Sequence, residues 1–319
     1  MRVRKVFITI IVFFLMFGAI TWADSPSSDI TFEGIGPEGN INAHQVSGQL
    51  LQTPNYDWWY GCSPTSAGMM MGYYDRNGYS NLVKGGIAEL DTYPSTFGSW
   101  NHLAQYAIAS VNHVNDFYVN GYMGSGDDTP TGRSFDCLAD FMGTSQDNLS
   151  TTFGGNTNGG TTFFNYNNNQ PLYSSDLESL GFDYYNMSGM YGIKEFVEDS
   201  GYAIELIYNQ YISGYNGNPD GFTLAEYQAE INAGHPVMIG VEGHSMLGYG
   251  YVNGTDIINV FDTWDPHGQN PGTMTWGGAY PHGDDSLQHY AVTVVHFVPE
   301  PTSIVIFGLA SLIFVRKRR

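Results

Sequence analysis

Positive charge is scarce in this 319-residue chain: 11 Lys and Arg stand against 31 Asp and Glu, for a formal net charge of −20. Seven of the eleven lie in the first five and last four residues, so Arg76, Lys84, Arg133 and Lys194 are the only basic residues left in the body. An acidic body excludes nucleic acid and anionic lipid as partners, and suits solubility outside a cell or contact with cations. Cysteine is almost as scarce. Cys62 and Cys137 allow at most one disulfide, and no Cys-x-x-Cys occurs. A His-x-x-x-His pair on a helix, a phosphate-binding glycine motif and an internal repeat are also missing, so neither a metal nor a cofactor is expected. Asp127-Asp128 and the Asn-rich stretch lack the spacing of a calcium-binding EF-hand loop and read as solvated loops.

The two ends carry targeting patterns. Met1-Arg2-Val3-Arg4-Lys5 precedes an apolar run from Val6 to Trp22 and a small-residue cleavage site at Thr21-Trp22-Ala23, which identifies residues 1–23 as a secretory signal peptide. At the other end Thr302 to Val315 is apolar and Arg316-Lys317-Arg318-Arg319 is basic, which by the positive-inside bias keeps that end cytoplasmic. The apolar run is shorter than a comfortable spanning helix of ~20 residues. With Pro299-Glu300-Pro301 directly before it, the segment 299–319 resembles the PEP-CTERM sorting signal of Gram-negative bacteria. That resemblance implies an exosortase-type processing partner. It also implies a protein exported across the inner membrane, briefly anchored, then released to the cell surface or beyond, and touching the membrane only through its ends.

Between the ends lie 275 residues, Asp24 to Val298, room for one large domain or two small ones. Residues 24–48 are a polar leader, and 49–298 form the domain. Helices are expected from Cys62 through Tyr74, over 99–111, over 134–142 and from Ile193 to Ser200. Residues 143–175, rich in Gly and Asn, read as a polar insertion that leaves the domain as a loop or hairpin. A strand at 202–208 comes next, Thr223-Leu224-Ala225-Glu226 is a capping box, Gly234 closes its helix, and strands follow at 237–241, 245–252, 255–261 and 288–298. The expected class is α+β: a helix carrying a cysteine packed on a C-terminal antiparallel sheet.

Three blocks carry the chemistry. In Trp59-Tyr60-Gly61-Cys62-Ser63-Pro64-Thr65 the thiol opens a helix, where unpaired N–H groups and the dipole favour a thiolate. Gly243-His244-Ser245 opens one strand and Phe261-Asp262-Thr263-Trp264 closes the next, giving a base and an orienting group in the order nucleophile, base, orienter. Gln52 is placed to donate beside the Cys62 N–H as an oxyanion hole. Hairpin pairing tests the orienter. A two-residue turn at Asn253-Gly254 sets Asp262 on the wrong face, a three-residue loop sets it opposite Met246 and diagonal to His244, and a four-residue loop sets Asp265 opposite His244. The three-residue loop is preferred and Asp265 stays as the alternative.

These blocks, with Gly248-Tyr249-Gly250-Tyr251, resemble the C39-like branch of the papain superfamily. The resemblance implies a papain-like fold and a cysteine peptidase or amidase acting on peptide or protein substrates, with Cys62 as nucleophile, His244 as base, Asp262 as orienter and Gln52 as oxyanion donor. Ser63 departs from the glycine that many members have there. His289 is the second candidate base but reads as a structural strand histidine, and Trp58, Trp59, Trp264 and Trp276 either wall a cleft or pack in the core. The competing reading is a non-catalytic surface or matrix binding protein on the same scaffold, with Cys62 idle or bonded to Cys137.

Overall fold

The computed structural model describes residues 48–50, 53–56, 58–80, 82–83, 107–110, 137–144, 159–264 and 272–299. The signal peptide, nearly all of the leader, Gln52, most of the helix expected at 99–111, Asp127-Asp128, residues 134–136, residues 145–158 of the expected insertion, Asp265 and residues 300–319 lie outside them.

One antiparallel sheet organises these residues. Its strands are β1 (Leu172–Tyr173), β2 (Ile204–Tyr211), β3 (Val237–Val241), β4 (His244–Tyr251), β5 (Ile257–Phe261), β6 (Gly272–Thr275), β7 (Ala279–His282) and β8 (Asp285–Phe297). They run in the order β1-β2-β8-β3-β4-β5-β6, with β7 paired to the first half of β8. The class is therefore α+β, as the sequence leads one to expect. The helices are α1 (Cys62–Arg76), α2 (Leu138–Phe141), α3 (Ser174–Leu180), α4 (Phe182–Tyr185), α5 (Gly189–Asp199) and α6 (Leu224–Ala233).

Helix α1 is the core of the molecule. All but its first and last residues are buried, including Met69, Met70 and Met71. Its two glycines, a cost in helix propensity, mark close approaches: a Cβ at Gly68 would sit 2.5 Å from Ile108, and one at Gly72 2.8 Å from Pro54 and 2.9 Å from the Tyr56 hydroxyl. Tight packing of α1 thus explains a sequence that looks poor for a helix. Helix α6 is capped as its sequence dictates. Thr223 Oγ1 accepts from the Glu226 N–H at 3.2 Å, the Glu226 carboxylate accepts from the Thr223 N–H at 2.7 Å, and Gly234 turns left-handed with φ 91.

Two expectations need correction. The stretch from Gly159 to Pro171 has no helix or strand, yet it is no excursion: Phe164 lies in the core, its carbonyl accepts from Asn209 Nδ2 at 3.0 Å, and the buried Asn169 donates to Asp220 O at 2.9 Å. The remainder, from Leu172 on, enters β1 and α3. An Asn-rich composition reads as solvated, and Asn167 and Asn168 are exposed, but the Asn169 amide satisfies a backbone carbonyl that no strand partner reaches. The β4–β5 connection also differs. Val252 donates to Ile257 O across a four-residue loop, and a bulge between Gly248 and Gly250 takes up the extra residue. Beyond the bulge Leu247 pairs with Phe261 and Gly248 with Val260, the register of a three-residue loop, and its continuation sets Asp262 opposite Met246.

Candidate active site

The turn before α1 presents the thiol. Tyr60 has φ 64, an uncommon conformation for a residue with a side chain. Thr65 holds it: its hydroxyl donates to Gly61 O at 2.6 Å and accepts from the Trp59 N–H at 3.0 Å. Cys62 follows as the first residue of the helix, half-buried, and the segment at Gly159 leaves no room for a Cβ at Gly61, which would meet Gly159 O at 2.7 Å. The next turn of the helix is fastened to β4. Ser63 Oγ and Ser245 Oγ are 2.8 Å apart, and Ser66 Oγ donates to Ser245 O at 3.0 Å. Both bonds fall on the residue after His244, so they fix the distance between thiol and imidazole.

His244 stands next to Cys62 and acts on its thiol. Burial raises the thiol, but the charge of His244, its hydrogen bond and the bonds from the Ser245 backbone and the Ser63 side chain outweigh that and hold it below its ordinary value. His244 is itself buried, and its Nε2 lies 2.6 Å from the backbone carbonyl of Asp262. A carbonyl only accepts, so Nε2 carries the proton and Nδ1 is left with its lone pair for the thiol. This is the tautomer a general base needs.

Asp262 is thus beside His244, but the oxygen that meets the ring is its carbonyl. The carboxylate is engaged elsewhere: Oδ1 accepts from the Trp264 N–H at 3.0 Å and Oδ2 from the Tyr280 hydroxyl at 2.6 Å. The reason is local. Thr263 has φ 68, a strained conformation for a β-branched residue, and this turn swings the Asp262 carbonyl toward the histidine. Thr263 O in turn accepts from the Trp58 N–H at 2.6 Å, tying the strained turn after β5 to the turn before α1. Trp264 stacks on the His244 ring with centroids 3.4 Å apart and planes at 14°, and His282 covers its other side at 3.8 Å. A small depression with room for little more than a water molecule lies beside Ser245, lined in part by Phe163, Asn165, Met238 and Tyr290.

The fold therefore brings Cys62, His244 and Asp262 together. Gln52 and Asp265 fall outside the described residues. Cys62 and Cys137 are not bonded to each other, and Cys137 is buried in a separate cluster with its Sγ 3.3 Å from Asp140 Oδ2. His289 is structural: it is fully buried in β8 and its Nδ1 accepts from the Gly277 N–H at 3.2 Å. Of the tryptophans, Trp264 covers the imidazole and Trp276 packs edge-on against His289. Tyr280 and the Ser63, Ser66 and Ser245 set have no signal of their own in the sequence, since each acts through a contact distant in the chain, whereas Thr65 acts within its own turn. No protein-family model matches the chain, and no curated protein matches it.

Proposed function

We propose that this protein is an exported cysteine peptidase or amidase of papain-like fold that works through a thioacyl intermediate. The observation that carries the reading is the Cys62–His244 pair at the head of α1, with the imidazole held in the base tautomer by the Asp262 carbonyl. In the reaction His244 Nδ1 takes the thiol proton and the thiolate adds to the substrate carbonyl carbon. The tetrahedral adduct collapses as Nδ1–H protonates the leaving amine, which leaves a thioester. Water then adds to the thioester while Nδ1 takes its proton. The acid departs, and the proton returns to the restored Cys62–His244 pair. The Cys62 N–H, at the positive end of α1, is positioned to receive the developing oxyanion, with Gln52 as its expected companion. Export and a cleaved C-terminal sorting signal, drawn from the patterns at 1–23 and 299–319, place the activity at the cell surface or outside it.

The test is the rate of Cys62 alkylation by iodoacetamide as a function of pH, mapped by mass spectrometry to separate it from Cys137. Wild type should react well below the ~8.5 of a free thiol, and His244→Ala should lose that advantage. Ordinary titration of Cys62 in both proteins overturns the hydrolase reading in favour of a binding scaffold.

A further inference from the structure

At the opposite end of the central strands a second histidine cluster has no part in this chemistry. Glu230 comes from α6, His235 from the turn between α6 and β3, and His296 from the last residues of β8. His235 Nδ1 and His296 Nε2 lie 2.9 and 2.7 Å from the same carboxylate oxygen, Glu230 Oε2, and the three atoms all fall within 4.8 Å of one another. The two imidazoles overlap with centroids 4.1 Å apart. The side chains retain 28, 15 and 20% exposure for His235, Glu230 and His296, so one side of the cluster opens to water.

We propose that Glu230, His235 and His296 form a binding site for a zinc-type divalent metal ion that clips the α6–β3 turn to the end of β8. Two imidazole nitrogens and one carboxylate oxygen are a zinc donor set, and water completes the coordination on the exposed side. Tetrahedral zinc, with ligand bonds of about 2.1 Å, holds its ligand atoms about 3.4 Å apart. The contacts at 2.9 and 2.7 Å would lengthen by about half an ångström or slightly more, and the two ring nitrogens already lie within 4.8 Å of each other. Calcium and magnesium prefer all-oxygen shells, so two imidazoles select against them. The ion would take the place of the N–H protons that now face Glu230, each passing to the other nitrogen of its ring or to solvent. The length of β3, about 16 Å, separates the cluster from His244, so the site stands or falls independently of the peptidase reading. His296 is distant in the chain from Glu230 and His235, which is why no local motif announces the site.

The experiment is a titration of the full chain, carrying Cys62→Ala to remove the thiol as a rival ligand, with Zn²⁺ against a chromophoric chelator. One ion per chain should bind, and His296→Ala should weaken it by more than the roughly 10–100-fold cost of losing a mere supporting partner of a metal ligand. Zn²⁺ should also raise the melting temperature of the parent and leave that of Glu230→Gln unchanged. Circular dichroism without metal checks that both variants fold; if either does not, His235→Gln takes its place. Absence of stoichiometric binding in the parent, or binding of undiminished affinity in the folded variants, overturns the proposal.

Discussion

The two ends of the central strands hold histidines in opposite ways. At one end the oxygen facing the His244 ring is an uncharged carbonyl, and the other ring nitrogen is free to exchange a proton with a thiol. At the other end one carboxylate oxygen is shared by two imidazoles; burial raises Glu230, yet the hydrogen bonds from His235 and His296 bring it down to about 2. A carbonyl fixes the tautomer and orientation of a ring without locking a proton in place, whereas a carboxylate holds protons or, in their stead, a cation. Orientation and charge are separable tasks, and this fold assigns them to different ends of the same sheet.

The largest effect that would sharpen the contrast comes from His289, which sits at the thiol end of β8 opposite Val241. Burial pushes it down to about 3, while in the unfolded chain it titrates near ~6.5. Between those values the unfolded state binds more protons, so stability drops as pH falls from about 6.5 toward 3, and this residue costs nothing above that window. Urea midpoints at pH 7 and pH 4 should show a loss on the order of a few kcal/mol, reduced in His289→Gln; an unaltered slope in a folded variant would refute it.

A smaller change is expected from Trp264→Ala. Stripping the stacked ring from His244 removes an interaction worth ~0.5–1.5 kcal/mol, and Cys62 alkylation at pH 7 should slow by roughly three- to tenfold. The smallest effect is the most telling. In Asp262→Asn the carbonyl that holds His244 remains, the amide oxygen can still accept from Trp264, and the amide N–H₂ can donate to Tyr280. Alkylation should change by less than about threefold, in contrast to the roughly 10⁴-fold fall in turnover that follows when a triad carboxylate itself orients the histidine. A loss on that larger scale would mean that charge, and not only orientation, is supplied at this end.

What the sequence makes legible follows from how local each cause is. The α6 capping box, the Gly234 stop and the cysteine at a helix start are written in neighbouring residues, and their elements appear with nearly those limits. The strand carrying His244 is equally plain, because β-branched and aromatic residues crowd it. The register near Asp262 comes out as the pairing rule for a three-residue loop sets it, although the path differs, since a four-residue loop and a bulge cancel. The carbonyl contact was illegible, because it depends on the left-handed turn of Thr263, a residue type that avoids that conformation. The burial of Phe164 and Asn169 was hidden by composition: polar amides signal loops unless the backbone they satisfy is already known.

The place of β8 has a consequence for how this chain comes to be folded. The last strand in sequence lies between β2 and β3, in the interior of the sheet, so the two halves stay unjoined until residues 285–297 have arrived. Such distant pairings fold slowly and leave open strand edges in the meantime. A chain delivered N-terminus first would thus remain in two unmatched parts through most of its passage, and would gain its finished core only when its final segment followed.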